Sequence, residues 1–188
     1  MSNLDYLLKQ YLREQIGLEE HLCRVIEQQI SEVDETDFAD AKNLLIKTRE
    51  VLEHHFVPLN EMLDHLERDA VSAREKVVAS NGAGLKNPGN QDKKNVRISR
   101  MLRDDYSALN LISMSNTLLH TTALVLDCQE VAAIALKHLE NLAPIVKKIG
   151  DLVPEVVARE LRTESPKIDL SVAQTAVKNA QLAWRNAS

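Results

Sequence analysis

Four stretches of the chain place core-type residues at steps of three and four, a spacing that lines one face of a helix and that no strand can use. The first runs through Leu4, Leu8, Tyr11, Gln15, Leu18, Leu22 and Val25, and the second through Phe38, Ala41, Leu45, Thr48, Leu52, His55, Leu59, Met62 and Leu66. The third takes Ile98, Leu102, Asp105, Leu109, Ile112, Asn116, Leu119, Ala123 and Leu126, and the fourth Val131, Ala135, His138, Leu142, Ile145, Ile149 and Leu152. Four long amphipathic helices must bury these stripes against one another. Composition agrees: five glycines, five prolines and 3% aromatics in 188 residues suit long helices. They disfavour sandwiches, barrels and glycine-dependent nucleotide folds.

The punctuation sets the expected order. Ser2 or Asn3 caps a first helix reaching about Ile30, the acidic stretch Ser31 to Asp37 breaks it, and Thr36 is the expected cap of a long antiparallel second helix, kinked at Pro58. Asn81 to Asn90 holds three of the glycines and reads as a loop. A break at Asp127-Cys128 separates the third and fourth helices. Pro144 and Pro154 should bend the fourth, Ser165-Pro166 should end it, and Leu170 to Trp184 reads as a short fifth helix packed through Leu170, Val172, Val177 and Trp184. Two short turns and one long passage between the second and third helices match a ferritin-like four-helix bundle over residues 1–165, with a C-terminal helix over 166–188. A simple up-down-up-down bundle is the alternative.

Twenty-three Lys and Arg against 28 Asp and Glu give a net charge of −5, which offers no general attraction for nucleic acid or anionic membrane. The basic residues Lys86, Lys93, Lys94, Arg97, Arg100 and Arg103 have no interleaved aromatics to stack on bases and read as facing the acid-rich first half or solvent. The opening residues carry no basic-then-apolar leader and no run is long enough for a membrane span, so the chain reads as soluble and cytoplasmic. Cys23 and Cys128 fall within apolar patterns and read as buried thiols. Nucleotide-loop, serine-hydrolase, zincin and dinucleotide motifs are absent.

The runs Leu52-Glu53-His54-His55, Leu102 to Asn110, Leu118 to Leu124 and His138-Leu139, with the tail Ala176 to Trp184, resemble a small bacterial ferritin-like domain family over nearly the whole chain. The resemblance implies a helical bundle, no established activity and a loose association with stress response. Ferritin-like di-iron enzymes take a Glu from each of two helices and an E-x-x-H from each of the other two. Here Leu52 stands three before His55 and Ala135 three before His138, so both E-x-x-H glutamates are replaced by apolar side chains. No histidine has a Glu four residues later, which removes a hemerythrin-like site.

At about 1.5 Å per residue, His120 and His138 lie roughly 11 to 15 Å from the turn between the third and fourth helices. His55 and Tyr11 come to a similar height if the first helix starts level with that turn. Two outcomes are open: a hydrogen-bonded layer of neutral imidazoles with Tyr11, Asn116 or threonines that only fixes helix register, or one divalent ion, Fe, Mn or Zn, held by His55, His120 and His138, with Tyr11 and Glu19 as lesser candidate ligands. The favoured reading is the first, a non-catalytic bundle without an intact di-iron centre and with no cofactor; the alternative is a metalloprotein. Glu19, flanked by Ile16, Leu22, Cys23 and Ile26, is expected to turn to the bundle edge, with a structural pairing next and a metal-ligand role last. Self-association is open, since the long second and third helices have room for a further apolar face. Without the two glutamates, mixing with Fe(II) and oxygen should give neither rapid stoichiometric oxidation nor a peroxo-type absorbance in stopped-flow spectra.

Overall fold

The computed structural model describes residues 3–71 and 97–186. The expected loop Asn81 to Asn90, with Lys86, Lys93 and Lys94, lies outside them. Among the described residues the protein has five helices and no strand: α1 (Asn3–Glu32), α2 (Glu35–Val71), α3 (Ile98–Val125), α4 (Gln129–Glu164) and α5 (Val172–Arg185). None is long and apolar enough to cross a membrane. The α1–α2 turn is tighter than expected. Asp34 rather than Thr36 caps α2, its carboxylate accepting the Thr36 N–H at 2.7 Å, where a negative charge also meets the positive end of the helix. The non-helical residue inside α2 is Phe38 (φ −134, ψ 39), not Pro58. In the α3–α4 turn Asp127 takes φ 57, a left-handed conformation that a short polar side chain tolerates. Ser165 ends α4 as expected.

Around the bundle, α1 packs on α2 and α3, and α4 packs on α2 and α3. Gln29 near the end of α1 meets Asp105 near the start of α3, while Leu8 and Leu12 share a cluster with Leu119 and Ala123 at the other end. Those helices are therefore antiparallel. Arg159 and Asp40 at one end, with Leu59 and Val131 at the other, make α2 and α4 antiparallel too. All four neighbouring pairs run antiparallel, and α2 and α3 are parallel across the diagonal. The chain from Val71 to Ile98 must connect opposite ends of the bundle, which is the ferritin-like crossover and not the up-down-up-down alternative.

Three of the four stripes are buried as the spacing predicts. In α1 the buried face is Leu8, Leu12, Gln15, Ile16, Glu19, Leu22, Cys23 and Ile26, so Tyr11, Leu18 and Val25 flank it rather than line it. Leu8, Gln15 and Leu22 belong to both readings, and the wedge between α2 and α3 decides the rotation. Cys128 is half-buried, its thiol 3.6 Å from the Leu126 carbonyl. Arg97, at the basic start of α3, pairs with Glu164 of α4 at 2.8 Å rather than with the acid-rich first half. The fifth helix docks chiefly on α4 and buries a narrow stripe. Ala173 is buried, Val177 half-buried, and Gln181 donates to Asp151 at 2.8 Å. Val172 and Trp184, expected inward, are exposed, because one helix on one neighbour covers only one edge.

Near the α1–α2 turn, Gln29 Nε2 donates to Asp105 Oδ1 at 3.0 Å, leaving Asp105 Oδ2 and Gln29 Oε1 buried without partners. Burial, only partly opposed by the Gln29 hydrogen bond, pushes the Asp105 carboxyl up to about 7. A proton on Oδ2 turns that unpartnered acceptor into a donor and removes the buried charge. A raised carboxyl favours the fold while it is protonated and loses that advantage as pH climbs from about 4 to about 7, a loss of roughly 4 kcal/mol. Asp105→Asn mimics the protonated acid. In urea titrations it should match wild type within about 1 kcal/mol at pH 4 and exceed it by several at pH 8; a difference independent of pH would rule this out.

Candidate metal centre

Midway along the bundle one polar layer interrupts the apolar core. On one side lies the cluster containing Leu22, Leu52, Leu109 and Leu142, and on the other the cluster of Leu12, Leu59, Leu119 and Ala135. Glu19 of α1, His55 of α2 and His138 of α4 meet between them, at 0%, 1% and 3% exposure. Each comes from a position that the 3.6-residue repeat turns inward.

The distances define a cluster. His55 Nδ1 lies 3.0 Å from Glu19 Oε2, and His138 Nδ1 lies 3.6 Å from Glu19 Oε1, beyond hydrogen-bonding range. One ligand atom from each of the three lies within 4.8 Å of the others, which makes this the one metal-competent group of three His, Cys, Asp or Glu among the described residues. Two donors on a shared tetrahedral ion sit about 3.3 Å apart, given ligand bonds of about 2.0 to 2.1 Å. The two Glu–His distances run to different carboxylate oxygens, so an ion here is held across both oxygens or after a small turn of the carboxylate. The imidazoles stack with ring centroids 3.6 Å apart and planes 6° apart. Parallel rings cannot aim both in-plane lone pairs at one point, so coordination requires them to fan apart.

Neighbours hold the layer in place. Gln15 Nε2 donates to Glu19 Oε1 at 2.5 Å, and Asn141 Nδ2 lies 3.3 Å from His55 Nε2. His138 Nδ1, Gln15 Oε1 and Asn116 Oδ1 are buried with no hydrogen-bond partner. Burial pushes the Glu19 carboxyl up, but the His138 and His55 imidazoles beside it outweigh that and bring it down to about 2. Burial pushes His138 below the ordinary histidine range, with Glu19 pulling the other way. An ionised carboxylate at this depth is costly unless a cation matches it, and two rings 3.6 Å apart cannot both carry a proton cheaply. The countercharge is a proton on one ring or a bound metal ion.

Of the five residues singled out in the sequence, the structure brings together His55, His138 and Glu19. Glu19 is not turned to the edge: the rotation of α1 points it into the core. His120 lies nearer the α3–α4 turn, its Nδ1 donating to the Ala132 carbonyl at 2.8 Å. Tyr11 packs beside the Leu12 cluster. Measured from the Gln29–Asp105 contact, the end of α3 at Val125 comes level with Lys9. The first turns of α1 therefore project past the α3–α4 turn, and Glu19 takes the height expected of Tyr11. Gln15 and Asn141 went unselected in the sequence; their signal was a position one helical turn from Glu19 and from His138. Leu52 and Ala135, in the E-x-x-H glutamate positions, are fully buried apolar side chains.

A depressed carboxyl contributes stability above its ordinary value of 4.5 and loses it as pH falls toward 2, a swing of roughly 3 kcal/mol for Glu19. In chelator, Glu19→Gln should therefore be less stable than wild type near pH 6, and the gap should close as pH drops to about 2. Denaturation curves in which the gap stays constant would contradict an ionised Glu19.

No family model, curated protein or solved structure matches this chain. Its own geometry shows an all-α bundle of ferritin-like topology enclosing a Glu-His-His triad able to coordinate one metal ion.

Proposed function

We propose that this protein binds a single first-row divalent ion, Fe(II), Mn(II) or Zn(II), through Glu19, His55 and His138. The observation that carries the reading is the convergence of a fully buried carboxylate with two buried imidazoles, one of whose nitrogens has no partner. A layer meant only to fix helix register gains most when every member is satisfied. This one leaves His138 Nδ1 unpartnered, which favours the metalloprotein over the non-catalytic polar layer. Two imidazoles and a carboxylate form a donor set used for both non-haem iron and zinc. The missing E-x-x-H glutamates limit it to one ion rather than a bridged pair. Two open surface grooves, beside Asp151 and Gln181 and beside Pro58 and His65, contain no triad residue, so neither gives a substrate access to the site. On the resemblance of its helical runs we place the chain among small bacterial ferritin-like domains, acting in the cytoplasm and associated with stress response.

Chelator-treated protein should melt higher when Zn(II), Mn(II) or Fe(II) is added, by about 2.7 kcal/mol of stability with free metal at 100 times its dissociation constant. His55→Leu, His138→Leu and Glu19→Gln should each abolish the rise. His120→Leu should keep it, because His120 bonds a backbone carbonyl elsewhere. A wild-type melting temperature indifferent to all three metals would overturn the reading, and a rise lost in His120→Leu but kept in His138→Leu would move the site.

A further inference from the structure

The triad draws on three helices, and α3 contributes nothing to it. On the inward face of α3, in line with Leu109, Ile112 and Leu119, stands Asn116, whose side chain is fully buried. Its height can be read from two neighbours. Against α4, the Tyr106 ring faces Gly150, 3.8 Å from where a Cβ there would stand, and His120 bonds Ala132; stepping between these two points brings Asn116 level with the stretch from Leu136 to Glu140, centred on His138. Against α1, stepping from the Gln29–Asp105 contact brings Asn116 level with Leu18, next to Glu19. Asn116 therefore occupies the triad's own layer.

Its amide has one half satisfied. Nδ2 donates to the Ile112 carbonyl at 3.2 Å, and because a carbonyl only accepts, this bond settles which end of the amide is nitrogen. Oδ1 is left buried with no hydrogen-bond partner. A buried amide oxygen without a donor is a standing cost in the metal-free protein, and a cation is the one partner that needs no hydrogen to satisfy it. His138 Nδ1 is likewise buried without a hydrogen-bond partner in the same layer.

Resting on the single-ion reading above, we infer that Asn116 Oδ1 is the fourth protein ligand, so that each of the four bundle helices supplies one donor: Glu19, His55, Asn116 and His138. Two imidazole nitrogens, one carboxylate oxygen and one neutral amide oxygen suit a borderline or hard divalent ion and give no advantage to a soft monovalent one. Binding then ties all four helices together at one height.

The test uses Co(II) as a visible probe and Zn(II) for affinity, on the full chain. Asn116→Leu should weaken Zn(II) binding at least tenfold and alter the Co(II) d–d bands in position and intensity as water takes the vacated place. In chelator the same variant should melt at or above wild type, since it removes an unsatisfied oxygen; a residue of purely structural value would lower that temperature. Asn116→Asp, offering a charged oxygen from the same place, should bind Zn(II) more tightly than wild type, and it serves as the deciding variant if Asn116→Leu does not fold. Wild type that binds metal while both variants match its affinity and its Co(II) spectrum would overturn the fourth ligand and leave the triad intact. Wild type that binds neither metal would overturn both.

Discussion

The rest of the interior is arranged around the Glu19 carboxylate. A charge with no exposure in an aliphatic core is among the most expensive things a small bundle can hold, and it persists only where neighbours favour the ionised form. Two imidazoles from α2 and α4 and an amide from Gln15 supply that environment. Bringing Glu19 to them requires α1 to present Leu12, Ile16, Glu19, Cys23 and Ile26 inward, which in turn moves Tyr11 and Leu18 to the flanks. The same layer divides the apolar interior into two clusters, and each packs to its own depth above and below it.

A second polar contact, Gln29 with Asp105, works in the opposite electrostatic sense. Here burial, with the Asp104 charge adding to it, outweighs the Gln29 hydrogen bond, and the acid is held toward its neutral form. Two buried carboxyls in one bundle are thus driven to opposite states, ionised beside imidazoles and protonated beside an amide, by the difference in partners alone. At the same end of the bundle, Arg159 grips the Asp40 carboxylate and the Asp37 carbonyl and lies over the Phe38 ring. That contact is partly exposed, so it orients the start of α2 against α4 more than it stabilises it.

The bundle keeps the topology of a di-iron protein while lacking its bridging ligands. Leu52 and Ala135 fill the places where glutamates would join two metals, and they do so as fully buried core residues. What remains at mid-height is one carboxylate and two imidazoles, enough for one ion. The difference from the di-iron arrangement is local, two side chains on two helices, and leaves helix order and crossover as they are.

The amino-acid sequence by itself determined that the chain is four long helices with a fifth short one, because apolar residues every three to four positions permit nothing else. It also placed His55, Asn116 and His138 on inward stripes, since those stripes were long and continuous. It left the rotation of α1 open, because Leu8, Gln15 and Leu22 fit two faces about one residue apart, and a single helix's periodicity cannot choose between them. Only packing into the wedge between α2 and α3 chose, and that choice turned Glu19 inward. Height was equally out of reach. Residue counting fixes distance from a turn but not how far one helix projects past its neighbour. The overhang of α1 at one end of the bundle is why Glu19, and not Tyr11, meets the histidines. Which polar side chains share a layer depends on contacts between residues far apart in the chain, and those exist only once the helices have packed.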